Sequence, residues 1–90
     1  MLLKTAGIFM SYTPENRAEL EVLMLYKSAT NLDGIKIHKT ADPSVIAAAE
    51  RLYEGGFTTQ IDGGYLTPLG STAAEHAHLL FDILNARIEQ

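Results

Sequence analysis

Arg51-Leu-Tyr-Glu-Gly-Gly-Phe-Thr-Thr-Gln-Ile-Asp-Gly-Gly-Tyr-Leu-Thr-Pro-Leu-Gly70 is the stretch on which the fold turns. Arg51 to Glu54 reads as the end of a helix, and Gly55-Gly56 as its stop. Phe57 to Ile61 is β-prone. Asp62-Gly63-Gly64 supplies residues that tolerate positive φ, as tight hairpin turns require. Tyr65 and Leu66 return as a second strand, and Thr67-Pro68 opens another helix. The hairpin is expected over 57–67, with Phe57, Thr59 and Ile61 on one face and Leu66 joining them across the turn.

Thr67-Pro68 has two counterparts, Thr13-Pro14 and Asp42-Pro43. Proline at the first helical position loses no hydrogen bond, and the preceding Thr or Asp can accept one from the exposed amides. Helices are therefore expected from Pro14 to about Ser28, from Pro43 to Glu54, and from Pro68 into the late eighties. Gly34-Ile-Lys-Ile-His38 alternates, which predicts a short strand with Ile35 and Ile37 inward and Lys36 and His38 outward. In the second helix Val45, Ala48, Ala49 and Leu52 share one face, with Ser44, Ala47, Glu50, Arg51 and Glu54 on the other.

Ninety residues make one small domain with a thin core. Hydrophobic residues at 47% and charged residues at 20% are globular rather than disordered composition. With no cysteine, disulfides and thiolate metal sites are excluded. A net charge of −4 disfavours non-specific attraction to phosphate backbones. Lys4 interrupts the apolar residues of the first ten, so no secretory signal is read there. A cytoplasmic, non-enzymatic protein is expected. Residues 1–9 are expected to be a dispensable extension, with the domain over 10–90.

The element order resembles a winged helix lacking one helix, since only one helix fits between His38 and Gly55. Leu66-Thr67-Pro68-Leu69-Gly70 resembles the leucine-threonine-x-x-glycine that often leaves the wing in bacterial regulators. Gly34–His38, Ile46–Ala49, Arg51-Leu52, Asp62–Thr67 and Ala74–Ala77 are similar to a family of small uncharacterised gammaproteobacterial proteins. Some members carry the label DNA-binding protein or transcriptional regulator. The resemblance covers roughly Tyr12 to Ala86. It implies an α+β, winged-helix-like fold of three main helices and a small three-stranded antiparallel sheet, built from the strand near 34–38 and the hairpin 57–67. It also makes a DNA-binding or transcription-associated module the leading functional expectation, by kinship of fold.

The charges point elsewhere. The outward face of helix 43–54 carries two carboxylates and one guanidinium, and the wing carries Asp62 and no base. The candidate nucleic-acid contacts are Lys27, Lys36, His38, Lys39, Ser44, Arg51 and Tyr65. The structural alternative for the lysines is a solvated strand edge, and for Tyr65 hairpin packing. His76 and His78 stand two apart on a helix and point away from each other, which argues against chelation. His78 is read as facing solvent beside Asp82, and His76 as lying on the apolar side. No nucleophile has a recognisable base partner, and neither a catalytic residue, a metal nor a cofactor is expected.

Apolar surface is in excess. Val22 to Tyr26 surround the first helix, and the last helix has only a narrow polar stripe of Glu75, His78, Asp82, Asn85 and Glu89. A homodimer is expected through Val22, Leu25, Tyr26, Leu79, Leu80, Ile83 and Leu84. The alternative to the DNA-binding reading is thus a protein-interaction or dimerisation module that has lost the DNA-reading surface. DNA and another protein are the candidate partners, and no membrane is expected.

Overall fold

The computed structural model describes residues 10–27 and 33–86. In chain order they form α1 (Pro14–Met24), β1 (Ile35–Lys36), α2 (Pro43–Glu54), β2 (Thr58–Gln60), β3 (Gly63–Leu66) and α3 (Pro68–Ala86). The strands make one antiparallel sheet in the order β1-β3-β2. Three helices and this sheet give the α+β arrangement expected, compatible with a winged-helix-like fold. The extension expected over residues 1–9 and the end of the last helix beyond Ala86 lie outside the described residues.

Each cap–proline pair starts a helix. Thr13 and Asn16 exchange a capping box, with the Asn16 amide donating to the Thr13 hydroxyl at 3.0 Å and the Thr13 amide to Asn16 Oδ1 at 3.2 Å. Asp42 accepts the Ser44 amide at 2.9 Å. Thr67 accepts the Gly70 amide at 3.1 Å and donates its hydroxyl to the Gly56 carbonyl at 2.6 Å. One side chain therefore ties the start of α3 to the end of α2.

The first helix stops earlier than its sequence pattern predicts. It ends at Met24, and Leu25 and Tyr26 donate to the carbonyls of Val22 and Leu23 at 3.0 and 3.3 Å. These three-residue closures tighten the last turn and swing Tyr26 inward, where it is 2% exposed. Its hydroxyl donates to the Gly64 carbonyl at 3.1 Å, and its own carbonyl meets His78 Nε2 at 2.6 Å. His78 is therefore half-buried against the end of α1, not free beside Asp82. Of the apolar run Val22–Tyr26, only Leu25 is left exposed.

The core lies where α1 packs on α2 and α3. Ala18, Val22 and Leu23 meet Ala48 and Leu52, with Ala74 and Ala77 from α3. Ile35, Val45, Phe57 and Leu66 pack around this cluster. The strand expected over 34–38 is regular only over Ile35–Lys36. The expected alternation nevertheless holds through the segment that leaves it, with Ile35 and Ile37 half-buried and Lys36 and His38 exposed.

The hairpin faces differently from its predicted pattern. Thr58 is buried, whereas Thr59 and Ile61 are exposed. The pairing shifts register between Thr58 and Gln60, so strict alternation breaks there. Ile61 and Asp62 form the turn, and Gly63 and Gly64 already pair with β1 at φ of 119° and 72°. A Cβ on Gly63 would stand 2.9 Å from the Ile35 carbonyl oxygen, so the close approach of β1 also requires glycine.

Candidate functional site

Two surfaces hold only part of the set of residues singled out by the sequence. The first is a cleft of about 690 Å³ between the segment leaving β1, α2 and the hairpin turn. Ile37, Ile46, Ala49 and Ile61 supply its apolar lining, and Lys36, His38, Lys39, Glu50 and Asp62 its polar lining. Lys36 Nζ lies 3.5 Å from Asp62 Oδ2, with both side chains substantially in solvent. The two lysines on this cleft are matched by two carboxylates, and one lysine spends its charge on the turn of the hairpin.

The seven candidate nucleic-acid contacts do not converge. Lys36, His38 and Lys39 line this cleft. Lys27 and Tyr65 line a separate hollow with Leu25, Gly34 and Ile35. Ser44 sits in the first turn of α2, where its hydroxyl donates to Asp42 Oδ1 at 2.8 Å. Asp42 is held below the usual carboxylate range first by the Ser44 amide and then by that hydroxyl. Arg51 turns away from the outward face: its Nε donates to Glu19 Oε2 at 2.6 Å and its Nη2 to the Glu15 carbonyl at 3.3 Å. The remaining charges on the outward face of α2 are Glu50 and Glu54. The Arg51–Glu19 pair was invisible to helical periodicity, because it depends on how α1 crosses α2.

The second surface is α3. Gly70, Ala74 and Ala77 are buried, and Ala73 is packed against the core. The large apolar residues of the same helix are outside. Leu69, Leu79, Phe81, Ile83 and Leu84 are each about half exposed and Leu80 is 39% exposed. Of the residues expected to face a second subunit, Leu25, Leu79, Leu80, Ile83 and Leu84 are on the surface. Val22 and Tyr26 are in this domain's own core, for the reason given by the tightened end of α1. Leu69 and Phe81 join the exposed set; the unusual width of the apolar arc was the signal for them.

Among the described residues, no three metal-donor side chains converge, and no helix is long and apolar enough to cross a membrane. No curated protein and no solved structure matches the chain. A family model matches residues 10–85, most of the chain, so the protein belongs to the family described as "Family of unknown function (DUF5669)".

Proposed function

We propose that this domain is a non-enzymatic protein-interaction module, carried on a winged-helix-like frame whose DNA-reading positions have been given over to internal contacts. The observation that carries this reading is Arg51. It is the one guanidinium or ammonium group on α2, and it is engaged by Glu19 at 2.6 Å. A helix that reads base edges needs such a group turned outward. What α2 turns outward instead is Glu50 and Glu54, which repel phosphate. The exposed apolar residues of α3 supply the complementary half of the argument, since apolar patches of this kind mark contact with other proteins.

A DNA-binding, transcription-associated role is the second reading. Lys36, His38 and Lys39 favour it, because they stand together beside α2. Fluorescence anisotropy with a random duplex, at low and then moderate salt, separates the two. The interaction module is expected to show no binding at low salt. Clear affinity that falls steeply with salt, through counterion release, would overturn it. Arg51→Ala is expected to leave the duplex titration unchanged while lowering stability by at most about 1 kcal/mol, because the pair it breaks is partly screened by solvent.

A further inference from the structure

His78 divides α3 into two lengths. Up to His78 the helix is seated: Gly70, Ala74 and Ala77 are buried, and His78 Nε2 meets the Tyr26 carbonyl at 2.6 Å. From Leu79 to Ala86 every residue but the half-buried Asn85 is exposed. Leu79, Leu80, Phe81, Ile83 and Leu84 are between 39% and 57% exposed, and they go round the helix. Leu80, Phe81 and Leu84 stand seven residues after Ala73, Ala74 and Ala77, on the side that faces the core before His78, whereas Leu79 and Ile83 lie opposite. The core-facing side thus runs on past His78 with no core beneath it.

We infer that Leu79 to Ala86 is a conditional helix: in the free chain it exchanges between helix and coil while the domain up to His78 stays folded. Three features carry this. First, among the described residues no hydrogen bond or ion pair joins the segment to another element. Its one side-chain bond, from Asn85 Nδ2 to the Phe81 carbonyl at 2.7 Å, is internal. That carbonyl is the one the helix ladder uses for the Asn85 amide, so the side chain competes with the helix it sits on. Second, Phe81, Asp82, Ile83 and Asn85 are weaker helix formers than alanine or leucine. Aromatic and β-branched side chains lose rotamers in a helix, and Asp and Asn bond to nearby backbone instead. The apolar pairs Leu79–Ile83 and Leu80–Leu84, four residues apart, offset part of this.

The third feature is the absence of burial. Helices in proteins are stabilised mainly by packing one face, and this segment packs none. The seated half supplies the nucleus, so extension beyond His78 is neither opposed by nucleation nor favoured by burial. Helix and coil then lie close in free energy, as segments with few buried contacts do. The surface that α3 presents beyond His78 is a population rather than one fixed shape, and small substitutions shift it. This equilibrium belongs to the free chain and stands apart from the interaction reading, which the duplex titration decides.

The test is native-state hydrogen exchange of the full chain, read amide by amide by NMR over a dilution series. A helical amide bonds the carbonyl four residues back, so Ile83 to Ala86 report on helix formed wholly beyond His78. At the lowest concentration these four amides should be protected less than about 10-fold relative to an unstructured chain, and those of Ala74 to His78 at least about 100-fold. Asp82→Ala combined with Asn85→Ala gives the second readout. Alanine is the strongest helix former, so protection beyond His78 should rise about 3-fold or more and the ellipticity at 222 nm should deepen, with the urea midpoint of the domain unchanged. Protection that falls on dilution fits a helix ordered only when covered. Protection equal to that of Ala74 to His78 and independent of concentration would overturn the inference. So would a double variant whose protection and ellipticity match those of the native chain, since a segment already fully helical has nothing to gain.

Discussion

The two faces of α3 are built from opposite materials. The face against the core carries Gly70, Ala73, Ala74 and Ala77, and the face toward solvent carries Leu69, Leu79 and Ile83, while Leu80, Phe81 and Leu84 continue the core-facing side beyond His78, where that side too is exposed. Small residues let α3 lie close to its neighbours, so its contribution to the fold comes from backbone proximity and not from side-chain volume. The large side chains, which would contribute ~1.5–3 kcal/mol each if buried, are left for something else. His78 marks the border along the helix. It is the last residue of α3 held by α1, through the Tyr26 carbonyl, and beyond it all but the half-buried Asn85 are exposed as far as Ala86. Hydrophobicity in this chain thus divides between holding the domain and presenting a surface.

The inward face should be the more sensitive one. A Cβ at Gly70 would fall on the carbonyl oxygen of Phe57. That oxygen is fixed, because it accepts the Thr67 amide at 3.0 Å and belongs to the segment joining α2 to the hairpin. Neither backbone can yield without breaking the junction. Gly70→Ala is therefore expected to destabilise the domain by roughly 2–3 kcal/mol in urea unfolding, against the usual expectation that alanine favours a helix. A loss below about 0.5 kcal/mol would show that α3 is not seated by close approach.

This junction was legible in the sequence, and the reason is that its chemistry is local. Thr67 and Pro68 are adjacent, and cap and ring each act on the backbone nearby. The glycines at 63 and 64 were legible for the same reason. The need for glycine at 70, by contrast, comes from Phe57 on another segment and was not legible. Nor was Tyr26. Helical periodicity placed it on a continuing helix and hence on a partner surface, but it cannot say where the helix stops. The stop at Met24 depends on tertiary bonds, from Tyr26 to Gly64 and from Tyr26 to His78, whose partners lie 38 and 52 residues away. Arg51 eluded the sequence for a similar reason, since its partner Glu19 is on another helix. The surplus of apolar residues at the end of α3 could be counted in advance; which of them the domain covers could not.

Tyr26 tests the border between the two regions. Among the described residues it is the largest fully buried side chain, and it joins the end of α1 to β3 and α3 through the Gly64 carbonyl and His78. Tyr26→Phe keeps the ring and deletes the bond to the Gly64 carbonyl, so a loss of about 1 kcal/mol is expected. The pH dependence gives a second readout. Burial pushes the Tyr26 hydroxyl up from its ordinary 10.0 to about 12. In the unfolded chain it loses its proton first, so the unfolded state binds fewer protons between those values and stability falls as pH rises. The contribution is whole below pH 10 and disappears through about pH 12. The gap in unfolding free energy between the native chain and Tyr26→Phe should accordingly narrow over that window. A constant gap would mean that the hydroxyl is not confined on folding.

The smallest expected effect lies on the outward face, and it is the sharpest test of the division. If Leu79 and Ile83 take no part in the monomer's core, replacing both with serine should change the urea midpoint very little at low protein concentration, within about 0.5 kcal/mol. Core leucines cut back to that size would lose several times as much. Protein concentration then tests whether this face self-associates. Any partner that binds only the folded chain raises its apparent stability by mass action. If a second copy is such a partner, the native chain's midpoint should climb as protein concentration rises, and that of Leu79→Ser/Ile83→Ser should not. A double variant already destabilised by more than ~1 kcal/mol at low concentration would return these side chains to the core. The contrast between the faces of α3 would then be one of size alone, because both would be holding the same domain together.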